Sequence, residues 1–206
     1  MQDRDGVRII GLGGSLGPNS TSLSALKLAL EGAAESGAEV QVFDIRELAL
    51  PFFTPGMEAP PAAVELAEAA CSAQGMIWSS PLYHGTISGV FKNAIDWLDL
   101  LRIQDPPFLT DKIIGLISTA GGMQGLQAVN TMEFAVRSLR AWAVPLVMPI
   151  SQAWQAFDEL GNVRDPKIEL QLRTLGREVV RAAKQFAADG YCDYSVAPVS
   201  AKPGID

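Results

Sequence analysis

The chain has 206 residues, 48% apolar and 19% charged, with 16 Lys+Arg against 23 Asp+Glu and a formal net charge of −7. A chain of this length buries about 70% of its extended surface, enough for one substantial core. The composition excludes a disordered, collagen-like or disulfide-stapled protein. The acidic balance argues against a nucleic-acid or anionic-membrane partner, whereas a small anion can still be taken where backbone N–H groups converge.

The predicted elements alternate strand with helix. An apolar strand over residues 7–13 runs into a turn of glycines and hydroxyls, and a helix follows with Leu23, Leu26, Leu30 and Ala33 on one stripe. A second strand, 39–44, leads to an irregular segment, 50–61, that carries Pro51, Pro55, Pro60 and Pro61, and then to an alanine-rich helix, 62–72. The third strand is 76–80, followed by a helix with Val90, Phe91, Ala94, Ile95 and Leu98 on its apolar face. The fourth strand is 112–118, its helix 126–142, and the fifth strand 144–149. Residues 151–166 form a long loop with Trp154 and Phe157, and a last helix places Ile168, Leu172, Leu175, Val179, Ala183 and Phe186 on one stripe.

Most of these strands are continuous apolar runs rather than strict alternations, the pattern of strands buried on both faces. The expectation is an α/β three-layer sandwich: a five-stranded parallel sheet of order 2-1-3-4-5 with right-handed crossovers. It forms one domain over 1–189, and 190–206 reads as an extended or disordered tail. Cys71 and Cys192 give neither a disulfide framework nor metal-ligand spacing. Residues 1–5 carry no apolar leader, and the longest apolar stretch, 141–150, is half of the ~20 residues a spanning helix needs. A cytoplasmic location without membrane association follows. The low charge content and the aromatic late loop point to a homo-oligomer, a dimer or tetramer.

In an open parallel sheet, ligands bind beyond the carboxyl ends of the strands, where the strand order reverses. Three loops there are rich in glycine and hydroxyls. The first runs Gly13-Gly14-Ser15-Leu16-Gly17-Pro18-Asn19-Ser20-Thr21-Ser22, the second Pro81-Leu82-Tyr83-His84-Gly85-Thr86-Ile87-Ser88-Gly89, and the third Ser118-Thr119-Ala120-Gly121-Gly122-Met123-Gln124-Gly125. The first suits a monophosphate: glycines admit close backbone approach, and Ser15, Ser20, Thr21 and Ser22 offer hydroxyl donors beside a helix start. Ser20 taken alone fits a helix cap equally well. It is not a P-loop, because the terminal Gly-Lys-Ser/Thr is missing. Gly11, Gly13 and Gly17, with Asp44 closing the second strand, keep a dinucleotide site open as a second reading. Lys92 and Asp96, four apart on one helical face, make an ordinary surface pair. His84 lacks an evident acid partner and reads as a solvated loop residue, while Tyr83 reads as packing at the base of its loop.

Taken together, Gly14-Ser15 with Ser20, the run from Pro81 to Gly89, Lys92-Asn93-Ala94-Ile95-Asp96-Trp97, and Ser118 to Gly122 resemble the NAD(P)H-dependent FMN reductases, which include azo-dye and quinone reductases. The resemblance covers residues 7–187 and implies a flavodoxin-like fold, FMN as cofactor and NADPH or NADH as hydride donor. It implies that Ser15, Ser20, Thr21 and Ser22 hold the FMN phosphate and that Pro81, Leu82, Tyr83, His84 and Gly85 line the flavin. Ser118, Thr119, Ala120, Gly121 and Gly122 would approach the other part of the ring. The chain departs from the family at Gly17, where a basic residue is common. The implied reaction passes hydride through FMN to a small-molecule acceptor such as free flavin, a quinone or an azo compound. A non-catalytic flavin carrier is the alternative.

Overall fold

The computed structural model describes residues 6–188; the expected tail and Cys192 lie outside the described residues. The strands are β1 (Arg8–Gly13), β2 (Glu39–Asp44), β3 (Gly75–Tyr83), β4 (Thr86–Ile87), β5 (Ile113–Thr119) and β6 (Trp142–Ile150). The helices are α1 (Thr21–Glu35), α2 (Ile45–Leu48), α3 (Pro61–Ser72), α4 (Gly89–Asp96), α5 (Gly125–Ser138), α6 (Ala153–Ala156) and α7 (Pro166–Ala188), and a 3₁₀ turn, Trp97–Ile103, continues α4. The parallel strands run in the order β2-β1-β3-β5-β6, and the two-residue β4 folds back antiparallel on the end of β3. Counting the parallel strands alone, this is the expected 2-1-3-4-5 order.

The continuous apolar runs find their reason in two cores, one on each face of the sheet. Ile10, Leu12, Met76, Trp78, Ile114 and Leu116 pack beneath α3, α4 and α5. On the opposite face, Ile9, Ile77, Ile113 and Ile117 meet the buried stripes of α1 and α7. Edge strand β2 departs from that rule: Val40 and Val42 are exposed, and only its last two residues are buried. No described helix is long and apolar enough to cross a membrane.

Three predicted boundaries move. Helix α5 stops at Ser138 instead of reaching Trp142, because Arg140 takes a left-handed conformation (φ +65°) and turns the chain into β6. That is a position glycine usually marks, so the stop leaves no signal in the sequence. Strand β3 runs on to Tyr83, where the expected strand ended at residue 80. The long loop after β6 contains α6 and closes through a bridge between Phe157 and Val163.

Helices α1 and α7 touch through two glycines. A Cβ at Gly32 would lie 2.2 Å from the Arg173 carbonyl oxygen, and one at Gly176 would lie 1.9 Å from the Ala29 carbonyl oxygen. The backbones therefore meet without intervening side chains. Arg173 spans the seam, donating to Glu31 and Glu35 at 2.7 Å and to Glu169 at 3.1 Å. On the other face, buried Lys112 donates its Nζ to the carbonyls of Cys71 and Ala73, both at 2.6 Å, tying the end of α3 to the sheet.

Two outcomes follow from this packing. Gly176→Ala adds a better helix former worth about 1 kcal/mol, yet its methyl meets backbone that has nowhere to go, so the net effect is a loss of about 1–3 kcal/mol in chemical denaturation. Burial pushes the Cys71 thiol above its ordinary range, a shift the Lys112 charge only partly offsets. The reactive thiolate is therefore scarce at neutral pH, and peptide mapping after alkylation shows Cys71 modified slowly in native protein and rapidly in denaturant.

Candidate functional site

The parallel register brings the carboxyl ends of three neighbouring strands into line. Gly13 pairs with Ser79 and Ser79 with Ile117, while Pro81 pairs with Thr119 and Thr119 with Ile150. The turns that leave β1, β3 and β5 consequently emerge side by side on one rim. From β1 the chain crosses one way to β2 and then returns to β3 on the other side, so the strand order reverses between β1 and β3.

Two buried serines at the end of β3 set the positions of the first two turns. A Cβ at Gly13 would fall 2.3 Å from the Ser79 carbonyl oxygen, so only glycine permits this approach. That carbonyl also accepts the Gly14 N–H (3.2 Å), and the Ser79 hydroxyl donates to the Ser22 carbonyl of α1 (2.8 Å). Ser80 faces the second turn: its hydroxyl donates to the Pro81 carbonyl (3.0 Å) and accepts the Ser88 N–H (3.1 Å). Neither serine was singled out from the sequence, although a Ser-Ser-Pro closing an apolar run is a visible polar interruption.

In the first turn, Ser15 is 8% exposed, and its hydroxyl has no hydrogen-bond partner among the described residues. It faces the interior of the turn, since a Cβ at Gly17 would lie 3.5 Å from Ser15 Oγ. Ser20 caps α1, accepting the Leu23 N–H at 3.2 Å, and its Oγ lies 3.0 Å from Ser22 Oγ. Ser22 is buried, so its hydroxyl serves Ser20. Thr21 opens the helix half-buried, with no side-chain hydrogen bond among the described residues.

The second turn is a two-residue hairpin. His84 (φ +50°) and Gly85 (φ +86°) are both left-handed, as a type I′ turn demands, and Leu82 and Tyr83 pair with Ile87 and Thr86. Both Tyr83 and His84 project outward and are exposed. His84 is the solvated loop residue expected, whereas Tyr83 does not pack at the base of its loop, because the hairpin lifts it onto the surface. Pro81 is buried and Leu82 half-buried.

In the third turn the Ser118 hydroxyl is spent on the Gly125 carbonyl at 2.6 Å, closing the loop from below. Thr119 and Ala120 are buried at the rim, and the Thr119 hydroxyl is unpartnered among the described residues. Gly121 and Gly122 are exposed, and a Cβ on either would meet open space. The turn is tied to the chain beyond β6 by Gln152 N–H to Gly122 (3.2 Å) and Ala153 N–H to Ala120 (2.9 Å).

The remaining motif residues brace this rim. Asn93 holds the proline-rich segment, accepting the Phe53 N–H at 2.8 Å and donating to the Pro51 carbonyl at 2.9 Å, and Trp97 Nε1 donates to the same carbonyl at 2.9 Å. Lys92 pairs with Asp96 on the exposed face of α4. Asp44 is buried; one of its oxygens caps α2 through the Arg46 N–H (2.9 Å), and the other accepts from Arg46 Nη2 (3.1 Å). Its carboxylate is thus engaged, which removes the ribose-binding acid that the dinucleotide reading needs.

The sequence profile of the family described as NADPH-dependent FMN reductase matches residues 7–155. The chain belongs to that family. It is accordingly a flavoprotein oxidoreductase with FMN as its cofactor. It is 32% identical over 179 residues to the NADPH-dependent FMN reductase ArsH of Shigella flexneri, covering 87% of this chain and 69% of that one. It spans only 52% of the length of the Rhizobium meliloti protein of the same name. With the FMN-dependent NADPH-azoreductase of Staphylococcus aureus strain USA300 it shares 28% identity over 175 residues, 81% of this chain and 90% of the relative. A flavodoxin from the domain Archaea superposes with a TM-score of 0.61 at 13% identity, over 86% of this chain and 99% of that one, and this likeness establishes the flavodoxin-like fold.

In this FMN reductase relative the bracing serines are open to test. Ser80→Ala removes the acceptor of the buried Ser88 N–H, and the expected cost is about 1–3 kcal/mol of stability by chemical denaturation.

Proposed function

We propose that the three rim turns hold FMN and that the chain uses NADPH or NADH to reduce a small-molecule acceptor through it. One observation carries the reading: at the point of strand reversal the Ser15 hydroxyl, on a residue only 8% exposed, faces into the turn with no protein partner among the described residues. A hydroxyl not committed to the protein, in a narrow turn, is free to bond a ligand oxygen.

The donor set fits the cofactor. Ser15, Ser20 and Thr21, with the free amides at the start of α1, make a cradle for a phosphate, and the helix terminus adds partial positive charge. Ser22 orients Ser20 within it. Backbone groups from Pro81, Leu82, Tyr83, His84 and Gly85 border the ring on one side. Thr119, Ala120, Gly121 and Gly122 border it on the other, with Ser118 fixing the shape of their turn. The glycines leave open space where a flat ring must approach. FMN held there would supply two-electron chemistry between a nicotinamide and an acceptor such as free flavin, a quinone or an azo compound. The chain's part is to hold donor and acceptor at reacting distance in a defined orientation. A homodimer or homotetramer belongs to the same reading, supported by the exposed Phe134 on α5 and Ile103 at the end of the 3₁₀ turn.

The test is direct. Purified protein mixed with FMN and desalted retains the yellow chromophore and oxidises NADPH or NADH when an acceptor is supplied. Ser15→Ala weakens FMN about tenfold, measured by flavin fluorescence quenching, while the melting temperature stays close to that of the parent. Failure to retain FMN overturns the reading; FMN retained without nicotinamide oxidation identifies a carrier.

A further inference from the structure

No Lys or Arg occurs between Gly13 and Ser22, so the turn itself brings no full positive charge to a phosphate. The fold brings a guanidinium from elsewhere. Because β2 pairs with β1 so that Asp44 lies opposite Gly13, the residues that follow β2 stand beside the turn that follows β1. Arg46, on α2, reaches across, and its Nη1 donates to the Pro18 carbonyl at 3.4 Å. Its other end is fixed by Asp44 through Nη2 at 3.1 Å, and its own backbone N–H is fixed by the same carboxylate at 2.9 Å. The guanidinium thus bridges a buried carboxylate and the apex of the turn.

The consequence lies in peptide geometry. In a trans peptide the C=O and the following N–H point in opposite directions. The Pro18–Asn19 bond is not among the cis peptides. With the Pro18 carbonyl facing Arg46, the Asn19 N–H points to the opposite side of that peptide, away from the guanidinium. Arg46 also lines a cavity of about 210 Å³ with Asn19, Ser20, Thr21 and Lys27, and with the carboxylates Asp158 and Glu159.

We propose that Arg46 is a positioning residue for the mononucleotide phosphate: paired with Asp44, it holds the Pro18 carbonyl to itself and so orients the Pro18–Asn19 peptide for its amide to face the anion. This rests on the FMN reading above. It adds a residue 24 positions beyond Ser22 to the machinery of phosphate recognition.

The test compares FMN with riboflavin, which has the same ring and no phosphate. In the full chain, Arg46→Ala weakens FMN ~10-fold or more while riboflavin affinity stays within about twofold, and Arg46→Lys, which keeps the charge and one donor, recovers part of the loss. A merely structural role would move both ligands together, and that result overturns the proposal, as does no change in either. Parent protein that binds FMN no better than riboflavin overturns the phosphate reading itself, and the two failures are thus told apart. Melting curves of both variants confirm folded protein, and Arg46→Lys serves as the deciding variant should Arg46→Ala unfold.

Discussion

Ser79 is the joint on which the rim depends. Its carbonyl pairs with β1 and takes the Gly14 N–H, and its hydroxyl secures the first turn of α1 through the Ser22 carbonyl. One fully buried residue on the central strand thus fixes both ends of the first turn, the segment that departs from β1 and the helix that receives it. Gly13 is the necessary partner, because any side chain there would drive the two strands apart. The neighbouring Ser80 does the same for the second turn, and Ser118 for the third. The rim is organised by hydroxyls that point back into the protein, which leaves those of Ser15 and Thr119 without internal partners among the described residues.

Division of labour among similar residues is the main point that structure adds to sequence. Ser15, Ser20, Ser22 and Ser118 carry the same hydroxyl, and their place in the turns after the strands, with the family resemblance, makes all of them candidates for ligand contact. Packing separates them: Ser22 and Ser118 are committed to Ser20 and to the Gly125 carbonyl, and Ser20 doubles as a helix cap. Asp44 is another case. Its place at the end of the second strand matched a ribose-binding acid, but Arg46 and the N-terminus of α2 occupy both of its oxygens.

Much of the architecture was legible. Continuous apolar runs separated by amphipathic stripes mark the five parallel strands, most clearly the inner ones buried on both faces, and the flavodoxin-like resemblance supplies their order. What the sequence concealed was short or unmarked. A two-residue strand such as Thr86–Ile87 is too brief to show any period, and the end of α5 is made by Arg140 in a conformation for which arginine gives no cue. Arg46 was hidden for a different reason. Nothing near the first turn in sequence points to it, and only the pairing of β2 with β1 carries it there.

The glycine seam between α1 and α7 has a bearing on how the molecule is assembled. The wall behind α1 is made by a helix that starts at Pro166, and the ion pairs across the seam join residues 138 and 142 positions apart. Helix α1 can meet β1 and β3 early, but the face it turns to α7 stays open until residues 166–188 have been made. Contacts so distant in sequence close late, because the loop entropy is spent before they give anything back. The α1 face of the sheet is therefore among the last parts of the described fold to be completed.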